Sequence, residues 1–184
     1  MKKILSIGID DSLSCTGIAI IKRNKGVDTL IDTSIIKAET KMDWTAAALR
    51  IAKICNESTM PKRLKYLKRG YEIRVAIELP FTWGLNSIVV ERTGSVQKLY
   101  FLAGCIYNEF QGKCLLVQVN KWKGNSPKKI TYQRMKEKYR FRFQANERNF
   151  NVSDAIGIAD HALNKRTKAD FVCPQFVTSV SRVG

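Results

Sequence analysis

The sequence has a single histidine, His161, and no two cysteines in Cys-x-x-Cys spacing. Its five cysteines are odd in number and scattered, at Cys15, Cys55, Cys105, Cys114 and Cys173. A disulfide framework pairs its cysteines, and a structural zinc site needs four suitably spaced Cys or His ligands. The pattern therefore argues against both.

Long apolar stretches are also lacking, since no run approaches the roughly 20 residues that span a bilayer. Residues 1–9 are too short an apolar segment, and end too close to Asp10 and Asp11, to resemble a secretory signal. These patterns predict a cytoplasmic protein with no membrane association.

Acidic residues are scarce, because 16 Asp and Glu stand against 32 Lys and Arg and leave a net charge of +16. Hydrophobic residues make up 45% of the chain, as in ordinary globular proteins. A length of 184 residues suits one compact domain. The charge predicts a polyanionic partner, nucleic acid first of all, and the alternative is a solvated basic surface without a specific ligand.

Hydrophobic periodicity predicts the secondary structure. Apolar runs between turn residues predict five strands, at residues 3–9, 16–21, 27–37, 74–78 and 115–119. Helical spacing predicts a helix from Trp44 with Asp43 as N-cap, then helices at 92–110, from the Ser126-Pro127 pair to 139, and from Asn151 or Ser153 to 165. Residues 62–70 are interpreted as a basic connector. The prediction is one α/β domain at 1–166, with a mixed five-stranded sheet flanked by helices, and a tail at 167–184 without a clear pattern.

Three acidic residues occupy unusual positions. Asp10 and Glu78 each end a predicted buried strand, and Asp154 lies near the predicted start of the last helix. If the two strands are neighbours and the helix packs over their ends, the three carboxylates converge. Taken singly, Asp10 or Asp11 could cap a turn, Glu78 could pair with a lysine, and Asp154 could be an acid at a helix start.

Converging carboxylates need a counter-charge, and a hard divalent cation with oxygen ligands is the natural one. Two cations roughly 3.5 to 4 Å apart can activate water and stabilise the leaving oxygen in phosphodiester hydrolysis. This hypothesis makes Asp10, Glu78 and Asp154 ligands of two Mg²⁺ ions, with Mn²⁺ able to substitute.

Three stretches resemble the RuvC family of Holliday-junction resolvases, and among them the versions carried by bacteriophages. They are Ile7-Gly8-Ile9-Asp10 with Thr16-Gly17, then Ala76-Ile77-Glu78-Leu79-Pro80-Phe81, and Asn151-Val152-Ser153-Asp154-Ala155. The resemblance implies a ribonuclease H-like fold, the three metal-binding carboxylates, and a homodimer that nicks four-way junctions symmetrically, with forks and flaps as further branched substrates. Residues 92–104 resemble the helix that contributes to the dimer interface of that family.

The resemblance also implies DNA-binding side chains. Phe81 resembles the aromatic residue that stacks on unpaired bases at the junction, and its alternative role is a core or loop anchor. Lys121, Lys123, Lys128 and Lys129 lie where the family keeps lysines near the scissile phosphate. Lys128 and Lys129 are equal candidates for a catalytic lysine, and a solvated basic face is the alternative.

Asn151 departs from the family pattern, which has an Asp or His three residues before the last aspartate. An amide oxygen can ligate magnesium but brings no negative charge. Three interpretations stay open: a natural variant with a weakened second metal site, compensation by another residue, or an inactivating substitution. The rival functions are a junction-binding protein without catalysis and an actin-like or sugar-kinase-like ATPase, which would need a second lobe.

Overall fold

The computed structural model describes residues 2–38, 42–80, 95–144 and 146–164. Five strands and five helices follow one another in these ranges: β1 Ile4–Asp10, β2 Cys15–Asn24, β3 Val27–Lys37, α1 Trp44–Leu67, β4 Glu72–Leu79, α2 Ser95–Glu109, β5 Leu115–Gln118, α3 Val119–Trp122, α4 Lys128–Tyr139 and α5 Glu147–Asn164. No helix in these ranges is long and apolar enough to cross a membrane.

The strands form one mixed sheet in the order β3-β2-β1-β4-β5. β1, β2 and β3 pair antiparallel, as the short turns between them predict. β4 pairs parallel to β1 and β5 parallel to β4, so the carboxyl ends of these three strands share one edge. The predicted mixed five-stranded sheet flanked by helices is confirmed.

Because successive side chains of a strand point to opposite faces, apolar residues form a core on each side of the sheet. On β1, Leu5, Ile7 and Ile9 face the cluster that includes α1 and α2. Ile4 belongs to the opposite cluster, which α4 and α5 complete. The sheet is therefore the middle layer of a three-layer domain.

Helix α5 approaches the sheet closely because small residues face it. A Cβ atom on Gly8 would stand 2.1 Å from the Ala155 carbonyl oxygen. One on Gly17 would stand 2.4 Å from the carbonyl oxygen of Asn151. The buried Ser6 hydroxyl donates to the Ala159 carbonyl at 2.7 Å. These contacts fix the position of α5 along the strands.

Two arginines bind the carboxyl-terminal end of α5. The buried Arg74 donates from Nη1 to the carbonyls of Ala162 at 2.9 Å and Leu163 at 3.1 Å. Arg23 donates to the Leu163 carbonyl at 3.1 Å while it pairs with Asp28. Positive charge at this end satisfies the last carbonyls and favours the helix dipole.

The connector predicted at residues 62–70 is wrong, because α1 continues through Pro61 to Leu67. Proline removes one backbone hydrogen bond from the helix. Packing and polar contacts offset this loss: Tyr66 packs against the core cluster, and Arg63 donates to the Asn56 carbonyl at 3.1 Å. The Arg63 guanidinium also lies 4.6 Å from the ring centre of Phe110.

Two predicted helix starts are also wrong. Pro127, not Ser126, is the N-cap of α4, and the Ser126 hydroxyl accepts a hydrogen bond from Arg134 instead. Helix α5 begins at Glu147, ahead of Asn151 and Ser153. Asp154 therefore lies well inside the helix, which removes the alternative of an acid at the helix start. The tail at 167–184 and the start of the helix predicted at 92–110 lie outside the described residues.

The approach of α5 predicts that Gly8→Ala is strongly destabilising. The atoms that a new Cβ meets are backbone atoms, at 2.1 Å and 2.5 Å, and these cannot rotate away. We expect a loss of unfolding free energy of about 3 kcal/mol or more in urea denaturation. Glu137→Ala is the control, since Glu137 is exposed on α4 and a surface substitution of this kind changes the unfolding free energy by about 0.5 kcal/mol or less. Equal effects of the two changes would contradict the close packing of α5.

Candidate functional site

The alternation of β1 and β4 directs Asp10 and Glu78 to the α5 side of the sheet. On β1, Asp10 follows Gly8 at the spacing of two that keeps residues on one face. On β4, Ala76 packs with Ile158 of α5, and Glu78 comes two residues later. Ile9 lies opposite Ile77 in the parallel pairing, so Asp10 and Glu78 are next to each other at the carboxyl edge.

Helix α5 brings Asp154 to the same place. Asp154 is only 1% exposed, and its neighbours include the two strand-end acids. Burial raises the pKa of Asp10 well above its usual range, and the charges of Glu78 and Asp154 raise that pKa further. The structure thus brings together the three carboxylates that the sequence singles out.

Lys123 supplies a positive charge to this carboxylate cluster. Its ammonium group donates to Asp154 Oδ2 at 2.7 Å, and its side chain is only 12% exposed. Burial lowers the pKa of Lys123, but the carboxylates of Glu78 and Asp154 outweigh burial and leave that pKa raised. The sequence predicted that Lys123 binds DNA, whereas in the structure its ammonium group forms an ion pair with Asp154.

Glu78 is held by a different donor. The indole Nε1 of Trp122 donates to Glu78 Oε2 at 2.8 Å. Burial raises the pKa of Glu78, and this outweighs the opposite effects of Lys123, of the Trp122 hydrogen bond and of Lys128. Trp122 and Lys123 are therefore adjacent residues that bind two different carboxylates. The motifs that resemble the RuvC family did not indicate a role for Trp122.

Asp11 is a further acid, for which the sequence suggested only that it could cap a turn. It is 7% exposed, and its buried Oδ2 atom has no hydrogen-bond partner within the described part of the chain. Burial raises the pKa of Asp11 well above its usual range, with Glu78 as the next cause. Asp11 also raises the pKa of Cys55, which belongs to the core on the α1 side. The alternation along β1 could have indicated that Asp11, the residue after Asp10, faces the opposite side of the sheet from Asp10.

The donor set of the cluster suits a hard divalent cation. Among the residues that the structure describes, none forms a hydrogen bond with the buried Asp154 Oδ1, which lies beside two other carboxylates. Unpaired buried carboxylate oxygens are costly unless a cation binds them. As the side chains stand, however, no three His, Cys, Asp or Glu residues within the described ranges are arranged to hold one metal ion. The positive charge in the cluster is the Lys123 ammonium.

Asn151 takes a structural role next to the cluster. Its Nδ2 donates to the Cys15 carbonyl oxygen at 2.6 Å, which joins α5 to the start of β2. A carboxylate at this position could not donate this hydrogen bond. The amide is therefore matched to its surroundings.

The predicted basic residues surround the cluster at different depths. Lys121, Lys128 and Lys129 are exposed, whereas Lys123 is mostly buried. Lys128 lies close enough to lower the pKa of Glu78, which favours Lys128 over Lys129 as the catalytic lysine. Phe81 lies outside the described residues, so its predicted role in stacking stays a prediction.

A cleft of about 190 Å³ adjoins the cluster between α4 and α5. Trp122, Lys123 and Arg134 are among the residues that line it. A larger cavity of about 480 Å³ lies between the ends of α1 and α2, and it contains none of the predicted site residues. The cavity volumes therefore do not identify the site, which is defined by its charges.

Comparison with known proteins shows a shared fold. No family model and no curated protein sequence matches the chain. The solved structure of Thermus thermophilus RuvC with a Holliday junction substrate superposes with a TM-score of 0.64 at 14% identity, over 86% of this chain and 92% of that chain. A second Thermus thermophilus RuvC structure gives a TM-score of 0.62 at 16% identity, over the same shares. The predicted ribonuclease H-like fold is confirmed.

The buried carboxylates predict an unusual dependence of stability on pH. Because the pKa of Asp10 is raised in the folded state, the folded chain binds this proton more tightly than the unfolded chain. Its contribution to stability is complete at low pH and is lost as the pH rises above the unfolded pKa. We expect Asp10→Asn to raise the melting temperature in EDTA by a few degrees at pH 7, where about 1 kcal/mol corresponds to about 2–4 °C, and by less at pH 4.

Asp28→Asn is the control for this measurement. It removes an acceptor from the Arg23 guanidinium, which donates to both Asp28 oxygens at 2.6 Å and 2.7 Å, so it should lower the melting temperature. A stabilisation by Asp10→Asn that is as large at pH 4 as at pH 7 would contradict the raised pKa.

Proposed function

We propose that this protein is a divalent-metal-dependent endodeoxyribonuclease that resolves four-way DNA junctions by paired nicks, with forks and flaps as further branched substrates. The observation that carries the proposal is the convergence of Asp10, Glu78 and Asp154 on a RuvC-like fold. The net charge of +16 adds support, because a polyanionic substrate is attracted to a basic surface. The resolvase neighbour that contains a Holliday junction is a further reason for the choice of substrate.

Asp10, Glu78 and Asp154 would hold Mg²⁺ or Mn²⁺, with the amide oxygen of Asn151 as a neutral candidate ligand. When bound, such ions would supply a water of lowered pKa as nucleophile and positive charge for the leaving oxygen. The orphan oxygen Asp154 Oδ1 supports this assignment, since it is buried beside the other acids. Lys123 would have to release Asp154 Oδ2 when the carboxylates close on a divalent cation.

The lysines would bind the DNA backbone. Once released from Asp154, the Lys123 ammonium is free to pair with a phosphate oxygen close to the carboxylates. Lys128 is exposed and near Glu78, so it can stabilise charge on the scissile phosphate. Lys121 and Lys129 are exposed and would add contacts with the backbone that do not depend on sequence.

Cleavage of a labelled four-way junction tests the nuclease. We expect Asp10→Asn and Glu78→Gln each to reduce Mg²⁺-dependent cleavage by at least about 100-fold, since each removes a metal-binding carboxylate. Junction affinity in EDTA should stay equal or increase, because negative charge near the phosphates is removed. Asp28→Asn, far from the cluster, and linear duplex DNA are the controls. Parallel loss of binding and cleavage would instead mean that the two acids maintain the fold.

A junction-binding protein without catalysis is the second candidate, and Asn151 is the observation that favours it. The same assay distinguishes the two. Binding without cleavage at every Mg²⁺ and Mn²⁺ concentration would support this candidate. Asn151→Asp would then show whether the missing carboxylate is the reason, provided that loss of the bond to the Cys15 carbonyl leaves the chain folded.

We further propose that α2 forms the interface of a homodimer, as suits a two-fold symmetric junction. Tyr100 and Phe101 on α2 are 45% and 40% exposed, and Trp44 contacts Phe101 edge to face at 5.3 Å. No atom of the described residues would lie within 4 Å of a Cβ on Gly104, so a second helix could approach there. An exposed aromatic cluster next to a small residue is typical of an interface.

Phe101→Asp should convert the dimer to a monomer. A buried interface does not accept an unpaired charge, so we expect dimer affinity to fall at least about 100-fold. Sedimentation equilibrium over a range of concentrations measures the change. Val27→Asp, which alters another exposed apolar residue, should leave the mass unchanged. A wild-type chain that stays monomeric at all concentrations would contradict the dimer.

A further inference from the structure

Trp122 is an aromatic residue whose side chain donates a hydrogen bond to a carboxylate of the cluster, and nothing above gives it a function. It ends the short helix α3, directly after β5. Its Nε1 lies 2.8 Å from Glu78 Oε2. Tryptophan can only donate and a carboxylate can only accept, so the direction of this bond is fixed.

Helix α5 holds the indole ring in place. A Cβ on Gly157 would stand 2.2 Å from Cζ3 and 2.8 Å from Cε3 of Trp122. The ring therefore lies against the backbone of α5 at Gly157. Gly157 comes three residues after Asp154 on this helix. The Lys123 ammonium lies 4.8 Å from the ring centre and binds Asp154. The indole is thus packed between α5 and Glu78, which limits the positions of its N–H group.

Glu78 needs such a restraint more than the two aspartates do. Its side chain has one more rotatable bond than aspartate, and it is only half-buried at the end of β4. A longer side chain loses more rotamer freedom when it is fixed in one geometry. A hydrogen bond to one carboxylate oxygen restricts that freedom before any ligand binds.

We propose that Trp122 is a positioning residue for Glu78: its indole N–H, fixed by contact with α5 at Gly157, sets the orientation of the Glu78 carboxylate toward Asp10 and Asp154. The proposal rests on the metal-dependent function proposed above. Groups that orient metal ligands commonly change metal affinity by about 10- to 100-fold.

The test uses Trp122→Phe, which removes the N–H group and keeps an aromatic ring beside Gly157. We expect Mn²⁺ affinity, measured by titration calorimetry on the full chain without DNA, to fall on the order of ten-fold. Tyr132→Phe is the matched control, because it also removes one hydrogen-bond donor from a buried aromatic residue, here the bond to the Phe143 carbonyl. It should leave Mn²⁺ affinity unchanged, and thermal unfolding of both variants reports their loss of stability.

Two further variants test whether Trp122 acts on Mn²⁺ affinity through the orientation of Glu78 or in some other way. In a Glu78→Ala background, Trp122→Phe should change Mn²⁺ affinity by less than about two-fold, because the acceptor is gone. Gly157→Ala should displace the ring and lower Mn²⁺ affinity although the N–H group remains. If Trp122→Phe fails to fold, Gly157→Ala is the deciding variant. If Glu78→Ala alone abolishes binding, the contrast between Trp122→Phe and Tyr132→Phe decides.

Unchanged Mn²⁺ affinity in folded Trp122→Phe would overturn the inference, and so would an equal loss in Tyr132→Phe. A wild-type chain that binds Mn²⁺ but does not cut junctions would contradict the proposed nuclease and leave the effect of Trp122 measurable. A wild-type chain that binds no Mn²⁺ would contradict both.

Discussion

Contact between the backbone of α5 and the central strands is the constraint on which the site depends. Gly8 and Gly17 leave no room for a side chain between β1, β2 and the helix, and Arg74 binds the last carbonyls of α5. The glycine contacts and the Arg74 hydrogen bonds together fix α5 on the sheet. Asp154 can therefore lie only over the carboxyl edge of β1 and β4. Because β1 and β4 pair in parallel, Asp10 and Glu78 lie side by side at this edge, on the face of the sheet that α5 covers. Backbone packing, not attraction between the acids, brings three like charges together.

Such an arrangement stores electrostatic free energy, which the surrounding residues reduce only in part. Burial and mutual repulsion raise the pKa of Asp10, and burial raises the pKa of Glu78. Lys123 binds Asp154 Oδ2, but no donor among the described residues reaches Asp154 Oδ1. One ammonium group cannot neutralise three carboxylates. The remaining negative charge is the physical reason to propose a divalent cation at the cluster, because a cation would bind this unpaired oxygen.

Regular features could be predicted from the sequence, and features set by tertiary contacts could not. Alternation and strand ends located all five strands and the acids Asp10 and Glu78, because these patterns are local. The continuation of α1 past Pro61 was missed, since packing of Tyr66 outweighs the local cost of proline. Trp122 was missed for the same reason: its partners Glu78 and Gly157 are far away in sequence, so no local pattern marks it. The roles of the carboxylates and lysines in catalysis stay predictions.

The asparagine at position 151 also follows from the packing of α5. The RuvC resemblance leads to the expectation of an Asp or His there, three residues before Asp154. In this chain the residue faces the Cys15 carbonyl, where only a donor is favourable, and its amide nitrogen supplies one at 2.6 Å. A fourth carboxylate would also increase the repulsion in a cluster that has one buried lysine as counter-charge. The amide thus strengthens the contact between α5 and β2 that holds Asp154 in place, and this favours a natural variant over an inactivating change.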